Sequence, residues 1–151
     1  MVQEIHTRPY KMKKSDNLYL ATIDTGEQRK KNPKVLRVML SSTFTRIDFG
    51  YVAPWIYDKG GWIRIAPYTF IQVVGSSKRY KLINAENIPV SPERLDFEST
   101  EDWQVFTLYF EAIPIENCVI DIIEEENPSP KDFNFYGIVL SNVLACEIIK
   151  E

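Results

Sequence analysis

The sequence predicts an all-β fold, an antiparallel sandwich of about seven to nine short strands. Three observations predict it. Apolar residues recur at every second position in run after run, which is the signature of a strand with one buried face. Aromatic residues reach 13% of the chain, a bias that suits a pleated, half-buried surface. Glycine, proline and asparagine clusters then cut the runs into short pieces.

In chain order, the first candidate strand covers residues 18–23. Leu36, Val38 and Leu40 alternate with Arg37 and Met39 in the second. Ile47, Phe49 and Tyr51 form the inward set of the third, and Ile63 and Ile65 that of the fourth. Residues 69–74 and 79–83 flank Gly75-Ser76-Ser77-Lys78, a hairpin loop in which glycine supplies positive φ. Phe106, Leu108 and Phe110 face inward against Val105, Thr107 and Tyr109. Residues 118–123, 133–140 and 143–149 complete the set, the last fitting a strand better than a helix because of Val143, Ile148 and Ile149. Gly137 suggests a bulge. Ser91-Pro92-Glu93-Arg94 is the one place where a short helix could start, with serine as N-cap. About nine strands at close spacing fit a sandwich or a barrel, and the sandwich is the expectation.

The 151 residues suit one domain, residues 17–151, preceded by a polar, basic segment 1–16 that is an arm or an edge strand. Charge is uneven. Residues 1–46 hold ten Lys/Arg against four Asp/Glu, and the remainder eight against seventeen, for a net charge of −3. The basic clusters are short, so they are read as lying against the acidic remainder rather than as a nucleic-acid arm. No run approaches the ~18 apolar residues of a membrane helix, and no signal-peptide pattern opens the chain. Localisation is expected to be periplasmic or secreted if a leader has been trimmed, and cytoplasmic if Met1 is native.

Two stretches carry a resemblance. One is Trp62-Ile63-Arg64-Ile65-Ala66-Pro67-Tyr68-Thr69-Phe70-Ile71; the other is Tyr80-Lys81-Leu82-Ile83-Asn84-Ala85-Glu86-Asn87-Ile88-Pro89-Val90-Ser91-Pro92. With the aromatic strand 106–110 and Phe133-Asn134-Phe135-Tyr136-Gly137-Ile138 after them, they resemble small immunoglobulin-like β-sandwich domains of uncharacterised bacterial envelope proteins. Some of those stand alone and some precede a thioredoxin-like domain. The resemblance covers roughly residues 33–140 and implies an immunoglobulin-like sandwich. It implies no catalytic residues.

Chemistry has few footholds. The lone histidine, His6, lies near the N-terminus. With Cys118 and Cys146 it lacks the ligand spacing of a zinc site, so neither metal nor cofactor is expected. The two cysteines are read as buried small side chains, a disulfide being the alternative. Glu124-Glu125-Glu126 reads as a solvated acidic turn, since consecutive glutamates lack the spacing and glycine of a calcium loop. The remaining lead is aromatic: Trp55, Tyr57 and Trp62 flank Lys59-Gly60-Gly61. They form either a ligand-binding platform or plugs over an open end of the core. The expected function is therefore a noncatalytic interaction module for a protein partner, with a homodimer through a sheet edge as one form. The alternative is a carbohydrate-binding module using the aromatic platform; the partner is a protein or a glycan.

Overall fold

The structure, a computed structural model, describes residues 5–11, 17–56 and 58–146, with the backbone alone for Asp58. Among these residues the chain forms ten strands: β1 (Tyr19–Asp24), β2 (Lys34–Leu40), β3 (Thr45–Val52), β4 (Trp62–Ile63), β5 (Phe70–Val73), β6 (Arg79–Glu86), β7 (Leu95–Asp96), β8 (Trp103–Phe110), β9 (Cys118–Ile123) and β10 (Phe135–Ala145). Eight of them close into an antiparallel barrel in the order β1-β10-β9-β5-β6-β8-β3-β2, with β2 returning to β1. β4 and β7 form a separate two-stranded ribbon. No helix among the described residues is long and apolar enough to cross a membrane.

The all-β expectation holds, but the immunoglobulin-like sandwich does not: the main sheet is a closed barrel. Alternation reports that one face of each strand is buried, and that pattern is the same in a sandwich and a barrel. Closure is decided by one strand. Residues 133–140 and 143–149 read as two strands in the sequence. They are instead largely one, β10, which pairs with β9 through Phe135–Leu140 and with β1 through Val139–Ala145. Asn142 takes a positive φ of 48°, and the β1 register shifts between Leu20 and Thr22, which lets β10 bend through the join. Residues 147–149 lie outside the described residues.

The barrel is filled by side chains. Ile47, Phe49, Phe106, Leu108 and Phe110 point inward, as their phase predicts, and Leu82 joins them. Phe49 stacks on Phe106 at 4.9 Å, and the aromatic column continues through Phe133, Tyr51 and Phe97 towards one end. The β4–β7 ribbon contributes Ile63 to this core, and Ile65 and Phe97 flank it there. Gly137 has φ +66° at a register shift between Phe135 and Ile138, as a bulge requires. Residues 91–94 form a turn into β7 rather than a helix, closed by Glu93 N–H donating to the Val90 carbonyl at 3.1 Å.

Residues 5–11 of the N-terminal segment run beside β6. His6 makes a parallel bridge to Asn84, the Ala85 N–H donates to the His6 carbonyl at 2.8 Å, and the Asn84 amide donates to the Arg8 carbonyl at 3.1 Å. Tyr10 then lies on the outer face of the barrel, stacked on Tyr109 at 4.4 Å. Residues 12–16 lie outside the described residues.

Candidate interaction surface

The outer face of β3 and β8 is built from the residues that alternate with the core. Register places Arg46 beside Tyr109, Asp48 beside Thr107, Gly50 beside Val105 and Val52 beside Trp103. Along this face the environment changes in three steps.

At the first end Tyr109 is buried beneath Tyr10 and against Phe44, with the Arg46 guanidinium 5.7 Å from its ring. In the middle Asp48 is covered. It accepts from Arg37 at 2.8 Å, from Arg46 at 3.1 Å and from the Thr107 hydroxyl at 2.6 Å. Burial alone would raise its carboxyl, but these three donors hold it below the ordinary aspartate value. At the far end the cover stops. Trp103 is 69% exposed, Val52 58% and Val105 43%.

Leu36 enlarges this bare end. Its place in the alternation of β2 predicts an inward side chain, but a register shift between Val35 and Arg37 turns it out, and it is 51% exposed. Gly50 makes room for it: a Cβ on Gly50 would lie 3.2 Å from Leu36 Cδ1. Trp55, in the turn after β3, is 83% exposed. Leu36, Gly50, Val52, Trp55 and Trp103 line one open trough of about 610 Å³, with Lys30, Lys31 and Lys34 also on its wall.

Two side-chain amides hold the backbone of this region. Asn32 donates to the Val52 carbonyl at 2.6 Å and accepts from the Val52 N–H at 3.0 Å, replacing a strand neighbour where β2 has not yet begun. Gln28 does the same for Tyr136 of β10, at 2.6 and 2.8 Å. Capping these groups leaves side chains, rather than free backbone, as what the barrel offers at this seam.

Two of the aromatic residues expected to form a platform, Trp55 and Trp62, line two neighbouring depressions. Trp55 belongs to the trough. Trp62 lines a second depression of about 890 Å³ at the barrel end, which shares Asn32, Tyr51 and Pro54 with the first. The Trp62 ring is already engaged by cations, with the Arg64 and Arg94 guanidiniums 4.8 and 5.3 Å from its centroid. Tyr57 lies outside the described residues. No family model, curated protein or solved structure matches the chain.

Two carboxylates of the end depression, Glu124 and Glu125, are engaged with the protein itself. Glu124 is buried, which corrects its reading as part of a solvated turn. It accepts from the Ala66 N–H at 2.9 Å and the Phe133 N–H at 2.9 Å. Burial pushes its carboxyl above the ordinary value even against those two donors. Glu125 accepts from the Tyr68 hydroxyl, and that bond pushes the Tyr68 phenol up to about 12. Lys31 turns inward, donating to the Asn134 carbonyl with its ammonium 4.7 Å from the Phe135 ring. Burial lowers its pKa against the opposing pull of Asp132 and Glu124. Cys118 and Cys146 are free thiols. No group of three or more His, Cys, Asp or Glu that could hold a metal occurs among the described residues.

Sequence reasoning missed Trp103, Val52 and Leu36. A signal for the first was present: Trp103 and Val105 fall on the phase opposite Phe106, Leu108 and Phe110, so two large apolar residues occupy the outward set of one strand. Leu36 carried no such signal, because only the bulge turns it outward.

Proposed function

We propose that this protein is a noncatalytic interaction module that engages a protein partner through the bare end of the β3–β8 face. The observation that carries the reading is the grouping of Trp55, Trp103, Val52 and Leu36 around one trough, each more than half exposed. Clustered exposed apolar side chains with tryptophans among them are characteristic of binding hot spots, and they cost solubility when left uncovered. The depression at the barrel end supports the noncatalytic part of the reading, since two of its carboxylates, Glu124 and Glu125, already serve internal hydrogen bonds. A sugar-binding platform is less well supported, because Trp55 and Trp62 line different depressions and Trp62 is flanked by two arginines.

The test is an NMR titration of the intact protein with short blocked apolar peptides in one series and soluble oligosaccharides in another. Expected are saturable shifts of the Trp103 and Trp55 indole N–H signals with peptides. Trp103→Ala should weaken that binding by about 30-fold, the hot-spot scale of ~2 kcal/mol. Saturable binding of sugars with none of peptides would contradict the reading.

A further inference from the structure

We propose that the trough takes an extended peptide segment in which acidic residues stand three to four positions from large apolar ones, a specification that rests on the interaction-module reading above. Charge is distributed unevenly across the strands. The chain as a whole is acidic, with a net charge of −3. The described residues that line the trough nevertheless include three lysines and no carboxylate. Asp48, next along the outward row of β3, is already neutralised by Arg37 and Arg46. Lys31 is committed to the Asn134 carbonyl, which leaves the exposed Lys30 and Lys34 to meet a partner.

The cations also lie on one side. Lys34 is on β2, opposite Gly50 of β3, and Trp103 is on β8, opposite Val52. The trough therefore runs from a basic flank on β2, over the apolar residues of β3, to an indole on β8. Neighbouring strands lie about 4.8 Å apart and Gly50 and Val52 are two positions apart along β3, so Lys34 and Trp103 are about 12 Å apart along the diagonal, the reach of three to four extended residues at ~3.3 Å each. An occupant that satisfies both flanks has a carboxylate three to four residues from a large apolar side chain. A bilayer surface is flat and would leave a hollow of about 610 Å³ unfilled. A nucleic-acid strand wants cations tracking its backbone on an aromatic platform, whereas here the free cations cluster at one flank.

The probe is the blocked hexapeptide acetyl-DDSLFS-amide, titrated into the full chain and read from the Trp103 and Trp55 indole signals. Its controls are acetyl-NNSLFS-amide, acetyl-KKSLFS-amide and acetyl-DDSAAS-amide. The acidic apolar peptide should bind about tenfold tighter than the neutral one and lose most of that margin in high salt. The basic and the apolar-free peptides should be weakest. Lys34→Glu should remove the preference for the acidic peptide, while Lys78→Glu, on the loop before β6, should leave it unchanged. If neutral and acidic peptides bind equally well at the indoles, the charge inference is overturned and the interaction-module reading stands. If no peptide moves the indole signals, both fail. Phosphatidylglycerol vesicles or oligothymidylate that shift the Trp103 signal where no peptide does would overturn the peptide inference in favour of a lipid or nucleic-acid surface.

Discussion

The two ends of the β3–β8 outer face are made from the same pair of strands and treated in opposite ways. At one end an apolar ring, Tyr109, is buried under Tyr10 of the N-terminal segment. At the other, Trp103 and Val52 form an equally apolar pair with no such cover among the described residues. Between them Asp48 and its two arginines form a polar divide. The difference teaches that cover on this face is local: exposed apolar residues occur elsewhere on the barrel wall, such as Leu20 of β1 opposite Leu144 of β10, but the bare end gathers two tryptophans around one trough. The chain uses its own aromatic residue to close one end, so the open end is the natural place for something else to sit. Burial of aromatic area is worth most where packing is complete, which makes the covered end a matter of stability and the bare end a matter of association.

Substitutions sharpen that contrast. Tyr109→Ala at the covered end should show the largest effect, a loss of about 3–5 kcal/mol by chemical denaturation, because it removes a buried ring from beneath Tyr10 and beside Phe44. A loss below ~1 kcal/mol would mean the aromatic cluster is not packed as described.

At the divide, Asp48→Asn should cost about 1–3 kcal/mol, since two guanidiniums and the Thr107 hydroxyl lose a charged acceptor. Its pH dependence has a definite sign. The folded Asp48 carboxyl titrates below its ordinary value. Its contribution is thus complete above the unfolded value of about 4 and disappears as pH falls through the lower folded value. Glu124 acts in the opposite sense. Its folded carboxyl titrates above the ordinary value, so stability declines as pH rises through that window. The difference between wild-type and Asp48→Asn stability should therefore shrink below pH ~4 while the Glu124 contribution is common to both. A constant difference from neutral pH down to strong acid would show that charge at Asp48 does not matter.

Trp103→Ala at the bare end should change stability by under about 1 kcal/mol, a shift in melting temperature of no more than roughly 4 °C. A drop like that of Tyr109→Ala would make Trp103 a packing residue. Gly50→Ala should have the smallest effect, within about 0.5 kcal/mol. The nearest atoms to the new methyl all belong to Leu36, a half-exposed side chain that can swing aside. Displacing Leu36 into the trough should still weaken peptide binding measurably; unchanged binding would remove Leu36 from the site.

The fold was legible where it depended on phase and hidden where it depended on register. Ile47, Phe49, Phe106, Leu108 and Phe110 all point inward as their alternation requires. Barrel closure was not legible, because it rests on which strands meet: β10 has β9 on one side and β1 on the other, Val139 and Leu140 pairing with both, and alternation reads the same whichever neighbours a strand takes. The same limit governs the site. Trp55 was visible as an aromatic residue in a turn. Leu36 was misplaced because one extra residue in β2 reverses the face of everything before it. Glu124 looked like surface because its two backbone donors, Ala66 and Phe133, lie far apart from each other in the chain.

Hydroxyl-radical footprinting of the isolated protein, read residue by residue by mass spectrometry, compares the two ends most directly. Trp55 and Trp103 should be oxidised at nearly the rate of free indoles and Tyr109 should be protected. Tyr10→Ala should raise oxidation of Tyr109 while leaving Trp103 as it was. Protection of Trp103 in the isolated chain at low concentration would contradict the central claim, because the end described as bare would then be closed by the protein itself.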